Sequence, residues 1–372
     1  MQTSTGQTLP LRGLRVVDLS TEIAGAYCTK MLCDAGADVI KVEEVGAPDP
    51  LRRWTASGAE LKPGEDGALF QHLAASKRSL AVDLERDGDR VLLGTLAAGA
   101  DLLVESFGPG GLDARGLSFE ELSARNPRLS IVSISPWGLT GPWAKRPATE
   151  FTLQAGTGAT DHRGLPGRRP VSAGGRIGEW IAASFAAVGG LLACLSARRT
   201  GRGQHVDLSM FEAMVLSMTY YLDLGGQWRG VPLPRGIEVP SIEPAKDGWV
   251  GFCTITGQQW KDFCLMIGHP EVGEDERYLD GMERTKDLAF MQEIIHGWTR
   301  ERTVAEIVEQ ASLFRIPAVP VGNGKTVLEM EQFVERGVFV SGPGGFLRPR
   351  PACRLERTSL RPPGQAPRLG EH

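Results

Sequence analysis

At 372 residues the chain is long enough for one large or two moderate domains with full hydrophobic cores. Its 41% hydrophobic and 23% charged residues are the composition of a soluble globular protein, and a net charge of −4 argues against wholesale binding to nucleic acid or acidic membranes. Six cysteines (Cys28, Cys33, Cys194, Cys253, Cys264, Cys353) form no CxxC pair and the six histidines no HExxH, so reduced thiols, a cytoplasmic location and no metal are expected. The N-terminal MQTSTGQTLP lacks a basic-then-apolar signal pattern, and no run approaches eighteen apolar residues, so no membrane span is expected.

In chain order, Leu14–Leu19 reads as a short apolar strand and Ala24–Ala35 as a helix stopped at Gly36. Asp38–Glu43 is a second strand, which makes a βαβ unit with a parallel, right-handed crossover. The unit recurs as strand Ser79–Leu84, helix Asp87–Ala98 and strand Asp101–Glu105. A helix Ser118–Arg125 follows, with Ser118 and Glu121 at capping-box spacing, and then strand Leu129–Ile134. The alternation predicts an α/β fold with a doubly wound, Rossmann-like sheet. The first βα turn, LSTEIAGAY, is not GxGxxG, and no GxxxxGK[ST] occurs, so neither a dinucleotide motif nor a P-loop is present.

The stretch Arg169–Ala183 (RPVSAGGRIGEWIAA) stands out. A basic, glycine-rich loop ends at one carboxylate, Glu179, and an apolar helix extends from Gly178 to Arg199. A helix N-terminus favours an ionised carboxylate, so Glu179 is a candidate for a charge held at the mouth of a site, with an ordinary first-turn acid as the alternative. A basic turn, TGRGQ, then leads into a strand HVDLS and a helix from Met210 to Leu224, and the proline-rich VPLPRGIEVPSIEP reads as an interdomain linker. From Lys246 a smaller α/β domain is expected, with strand DGWVGFCTIT, helices Gly257–Ile267, Ala289–Arg300 and Val304–Ala311, and an extended Pro317–Val321. The domain bounds expected are 1–200, a linker 201–245, a small domain 246–322 and a segment 323–372. Basic groups at Arg52–Arg53, Lys77–Arg78, Arg115 and Arg168–Arg169 near inferred strand ends match a polyphosphate footprint, or else are solvated cations.

Several stretches in sequence order resemble the family III CoA-transferases, which include formyl-CoA and carnitine CoA-transferases and the alpha-methylacyl-CoA racemases. They are GADVIKVE (Gly36–Glu43), SKRSLAVDL (Ser76–Leu84), ADLLVESFGPGGLDARGL (Ala100–Leu117), NPRLSIVSISPWGLTGP (Asn126–Pro142), RRTGRGQHVDLSMFEA (Arg198–Ala213) and TGQQWKDFCLMIGHPE (Thr256–Glu271). The resemblance implies a large Rossmann-like domain built from both chain ends, with 323–372 returning to it. It also implies an interlocked dimer, of two copies or of the chain and a paralogue. Coenzyme A would enter as a thioester substrate, with no permanently bound cofactor. It places Arg52, Lys77, Arg78, Ser106, Phe107 and Arg115 near the nucleotide and its phosphates, Ser106 standing where the family has asparagine. Gly257, Gln258 and Gln259 correspond to a glycine-rich loop that closes over the acyl end.

The resemblance makes Glu179 the nucleophile, at the position of the aspartate in the family's GD motif. Glutamate is ionised at neutral pH and supplies the same chemistry, but its extra methylene moves the carboxylate by roughly 1 Å. Glu150 matches an acidic residue of the transferase site that orients the acyl group; its alternative is a helix-start carboxylate. The racemases carry histidine where Thr149 stands, and threonine is no base at neutral pH. Ile23, where formyl-CoA transferase has glutamine, points to a less polar substrate end. His162 reads as a solvated loop residue. The leading function is CoA transfer from an acyl-CoA to a carboxylic acid through a glutamyl anhydride and an enzyme–CoA thioester. The alternatives are a 2-methylacyl-CoA racemase and a CoA-thioester-binding subunit with impaired chemistry.

Overall fold

Strand and helix alternation in the first half of the chain produces a six-stranded, all-parallel sheet. The computed structural model describes residues 9–56, 58–161, 163–165, 167–218 and 237–372, so His162 and the centre of the expected linker lie outside the described residues. The strands are β1 (Arg15–Asp18), β2 (Asp38–Glu44), β3 (Arg78–Val82), β4 (Leu102–Glu105), β5 (Ser130–Ser135) and β6 (His205–Ser209), in the order β3-β2-β1-β4-β5-β6. Val16 pairs with Val39 on one side and Leu102 on the other, so the order reverses between β1 and β4. In such sheets that reversal opens a crevice at the carboxyl ends of the strands, the usual ligand position. The helices between them are α1 (Glu22–Asp34), α2 (Ala68–Leu73), α3 (Asp87–Ala98), α4 (Phe119–Arg125), α5 (Glu150–Gly156), α6 (Ile177–Thr200) and α7 (Met210–Met218).

The sheet unit gathers 9–160, 172–218 and 337–372. The strand and helix at 205–218, which sequence assigned to a linker, belong to this unit. All six residues of β5 are buried, and β6 supplies the hydrogen-bonding neighbour that its outer edge requires. The tail begins with a hairpin, β10 (Phe339–Ser341) against β11 (Leu347–Pro349), and its last residues dock on the sheet unit. Ser76 donates to the Gln365 carbonyl (3.0 Å), Arg361 to that of Asp34 (2.7 Å) and His372 to that of Ser79 (3.0 Å). The second unit has a three-stranded antiparallel sheet, β7 (Ile242–Pro244), β8 (Trp249–Phe252) and β9 (Ala318–Pro320), and the helices Gly257–Met266, Leu288–Thr299 and Val304–Leu313. Its core contains Trp260, Phe263, Met291, Ile295 and Ile307.

Helix α6 sets the distance between sheet and site. Its inward stripe is made of small residues, Ala182, Ala183, Ala186, Gly190 and Ala193, and packs against β4 and β5. A Cβ on Gly190 would meet Leu102 at 3.1 Å and Val132 at 3.3 Å, so the helix rests close on the sheet. It ends at Gly201, whose φ of +74° suits glycine, behind Arg198 and Arg199, which favour the negative end of the dipole. Contrary to the expectation from apolar runs, α6, with 24 residues, reaches membrane-spanning length and hydropathy, an 18-residue stretch of it having a mean hydropathy of 1.8. Interspersed glycine and serine hide this from a search for unbroken apolar runs. Its packed inner face is that of a core helix.

Asp18, at the end of β1, is fully buried and takes hydrogen bonds from Ser20 (2.5 Å), Thr29 (2.6 Å) and the Lys77 ammonium (3.0 Å). Burial alone would raise its carboxyl, but Lys77 and Lys41 with the two hydroxyls hold it down to about 2. The stability this contributes is complete above the ordinary carboxylate range and is lost as pH falls from about 4 towards 2. Lys77→Met, which strands the Asp18 charge, is expected to lower unfolding stability by about 3–5 kcal/mol in urea titrations at neutral pH. A change under about 1 kcal/mol would show that the pair is not a structural anchor.

Candidate active site

The turn from β1 into α1 lies at the β1/β4 crevice and is held from four directions. Lys41 donates to the Ser20 carbonyl and pairs with Asp49 at 2.8 Å. Ser106, just beyond β4, accepts the Thr21 N–H at 2.9 Å across the crevice. Asp49 accepts the Glu22 N–H at 3.3 Å and the Leu51 N–H at 3.0 Å, and Asp18 accepts the Ser20 N–H at 3.1 Å. Held this way, Glu22 adopts φ +66°, a conformation that costs a non-glycine residue about 1–2 kcal/mol.

Helix α6 runs antiparallel to the strands, so its N-terminus comes to the same edge. Glu179, in its first turn, is 5% exposed. Its Oε1 accepts from Arg176 Nε at 2.6 Å and pairs with Nη2 at 2.5 Å, while Nη2 also donates to Glu22 Oε2. The Ile23 backbone amide, at the start of α1, lies on the side of the same carboxylate and lowers its pKa. Burial raises the Glu179 carboxyl and Glu22 raises it further; Arg176 and the Ile23 amide oppose them, and the balance leaves it above the ordinary range. Arg176 is a second non-glycine residue at positive φ, +53°. Two left-handed side chains paired with each other beside one buried carboxylate mark a place where strain is held by the surroundings.

Glu150 and Gln154, on α5, fix the approach to that carboxylate. Glu150 Oε1 accepts the Gly178 N–H at 2.9 Å and the Gln154 amide at 2.6 Å. Gln154 exchanges hydrogen bonds with the Ala173 backbone at 2.9 and 3.0 Å. Gly178 has no room for a side chain, since a Cβ there would lie 2.0 Å from Met214 Cε. Glu150 starts α5, as the helix-start reading has it, and also caps the residue preceding Glu179. Thr149 is the N-cap of α5, with its hydroxyl accepting the Thr152 N–H at 3.3 Å.

The residues expected around the nucleotide separate into two groups. Ser106, Phe107 and Arg115 line the crevice end of β4: the Arg115 guanidinium lies 3.8 Å over the Phe107 ring, and its buried Nε has no hydrogen-bond partner. Glu105 accepts the Phe107 N–H at 2.5 Å and holds that turn. Arg52 and Lys77 depart from the expectation. Arg52 is bidentate to Glu43 (2.7 and 2.8 Å) and bonded to Asp66 (2.7 Å), and the Lys77 side chain is 0% exposed on Asp18. Arg78 pairs with Asp38 at 2.6 Å at the first residues of β3 and β2, the sheet edge opposite the crevice. Basic residues before a strand and after one look alike in sequence, and buried acids had claimed two of these three. Arg168–Arg169 fall in the second unit, as do Gly257–Gln259. The latter form the first turn of a helix, not a loop, because Thr256 and Gln259 close a capping box. Glu22 and Arg176 were missed by sequence reasoning, although Arg176 stands three residues before Glu179, the spacing of a helical ion pair. Among the described residues no group of three His, Cys, Asp or Glu could hold a metal.

A buried carboxylate at a helix N-terminus, beside a crevice edged by an arginine, is an arrangement suited to attack on an acyl group. The model of CoA-transferase family III matches residues 11–372. The chain belongs to CoA-transferase family III. This family III enzyme is 36% identical over 388 residues to succinyl-CoA:(R)-benzylsuccinate CoA-transferase subunit BbsE of Thauera aromatica, covering 96% of the chain and 91% of the relative. It is 31% identical to succinyl-CoA–D-citramalate CoA-transferase of Chloroflexus aurantiacus, covering 98% and 92%. A CAIB/BAIF family protein from Brucella suis shares its fold with a TM-score of 0.87 and 29% identity, over 98% of each chain. The family III enzyme is a CoA-transferase whose substrate is a CoA thioester.

Glu150→Ala is expected to lower kcat about 10- to 100-fold with a smaller change in KM, because the Gly178 amide loses its acceptor and Glu179 shifts. Glu150→Gln, which keeps one acceptor, should lose less. Unchanged kcat in Glu150→Ala, from steady-state rates with saturating acyl-CoA, would remove Glu150 from the positioning of the nucleophile.

Proposed function

We propose that this CoA-transferase moves CoA from a dicarboxylic acyl-CoA, succinyl-CoA being the simplest, to an organic acid, with Glu179 as nucleophile. The Glu179 carboxylate oxygen attacks the thioester carbonyl, the C–S bond breaks, and CoA leaves as thiolate from a mixed anhydride. The thiolate attacks the glutamyl carbonyl and releases the donor acid, leaving a glutamyl–CoA thioester. The acceptor carboxylate attacks that thioester to form a second anhydride. CoA thiolate then attacks the acceptor acyl carbon and frees Glu179. The observation that carries the reading is the buried Glu179 carboxylate, placed at the crevice edge between the Ile23 amide and Arg176.

CoA's phosphates are assigned to Arg115, a cation stacked on Phe107 beyond β4, with Ser106 and Phe107 shaping the turn beneath. Two relatives carry succinyl-CoA in their names, which supports the dicarboxylic class. Thr149, committed to capping α5, offers no base and supports transfer over racemisation. A homodimer is supported by an outward apolar stripe on α6, Phe185, Val188, Leu192 and Leu195, which a second copy of the chain would cover. The unpaired thiols are consistent with the cytoplasm.

Incubating the enzyme with succinyl-CoA and quenching with hydroxylamine or borohydride is expected to mark Glu179 alone, as read by peptide mass spectrometry. Glu179→Ala should abolish both the mark and turnover. Full activity in that variant would sink the assignment.

A further inference from the structure

Arg176 is held too elaborately for a simple helix-start cation. Its backbone is left-handed at φ +53°, it bridges carboxylates from two segments far apart in sequence, and it does so beside the buried nucleophile. Only Nε and Nη2 are engaged: among the described residues Nη1 takes no protein acceptor, and the side chain is 32% exposed. A guanidinium fork with an open edge suits one more carboxylate. Apolar groups also stand near it, with Ile23 buried and the Trp180 ring edge-on to Tyr27 at 4.7 Å.

Charge counting sharpens the role. In the resting site two carboxylates, Glu22 and Glu179, share one guanidinium. When Glu179 is acylated its negative charge disappears, and Arg176 keeps Glu22 alone. An additional anion then restores the resting balance. An ordinary acyl chain brings none; an acyl chain ending in a carboxylate brings one.

We propose that Arg176 is the specificity residue for the distal carboxylate of a dicarboxylic acyl group, exchanging its ion pair with Glu179 for one with the substrate as Glu179 becomes covalently occupied. The proposal rests on the transfer reading above for its covalent step, but its recognition step needs no chemistry. Before acylation the open Nη1 admits the substrate carboxylate; after acylation Nε and Nη2 are released to it as well.

Succinyl-CoA and butyryl-CoA form a matched pair, with four-carbon acyl groups that differ by the terminal carboxylate. Glu179→Gln imitates the uncharged, occupied state and cannot react, so binding is measured there by calorimetry. Glu179→Gln is expected to bind succinyl-CoA at least about 10-fold more tightly than butyryl-CoA. Adding Arg176→Gln should bring the two esters to within about 2-fold, and adding Arg176→Lys, which keeps charge without the fork, should leave an intermediate preference. Equal affinities in Glu179→Gln, or a preference that survives Arg176→Gln, would overturn the proposal. Thermal melting of each variant separates misfolding from lost recognition. In the otherwise wild-type enzyme, hydroxylamine trapping should be faster with succinyl-CoA, and Arg176→Gln should slow that reaction by a larger factor than the butyryl-CoA reaction. Equal slowing with both esters would assign Arg176 to positioning alone and also overturn the proposal. If neither ester marks Glu179 in the wild type, the transfer reading fails, and the binding comparison still decides the role of Arg176.

Discussion

The site depends on the immobilised turn between β1 and α1. Four backbone groups at 20–22 are assigned side-chain partners outside the turn: the Ser20 carbonyl to Lys41, and the amides of Ser20, Thr21 and Glu22 to Asp18, Ser106 and Asp49. Two of those partners are themselves buried ions held by further ions, Asp18 by Lys77 and Asp49 by Lys41. A buried charge that loses its partner is costly, so each member keeps the next in place. The turn cannot relax without opening several such pairs together. That is how a non-glycine residue is held at positive φ.

The second requirement is a helix that lies close to the sheet. Small residues along one face of α6 allow this, and glycine at 178 lets Met214 and Glu150 reach the helix start. The glutamate side chain is one methylene longer than the family aspartate, and Arg176 and Ile23 are the groups that receive its carboxylate here. Burial lifts its carboxyl, and Arg176, the same cation that covers it, restrains the rise. A covered nucleophile and an arginine with an open edge are two aspects of one arrangement.

Much of this was legible from local pattern. The helix expected at Asp87–Ala98 is observed with those bounds, and Ser118 accepts the Glu121 amide as its spacing implied. The doubly wound sheet followed from alternation alone, because parallel strands need crossover helices. The basic groups were less legible. Lys77 and Arg115 are both cations near strands, yet one is enclosed with Asp18 and the other faces the crevice. Charge is written in sequence; the partner that neutralises it is not.

By itself the sequence determined the order of elements, the family, and the identity of the carboxylate at the start of α6. Each of these is carried by residues near one another along the chain, where periodicity, capping and motif act over a few positions. The tertiary structure alone decided which ions are enclosed, that Glu22 stands opposite Arg176 across 154 residues, and that Glu150 reaches Gly178 across 28. Those pairings come from the crossing of α1, α5 and α6 at one edge of the sheet. The site exists where segments distant in sequence converge, and their convergence is a property of packing.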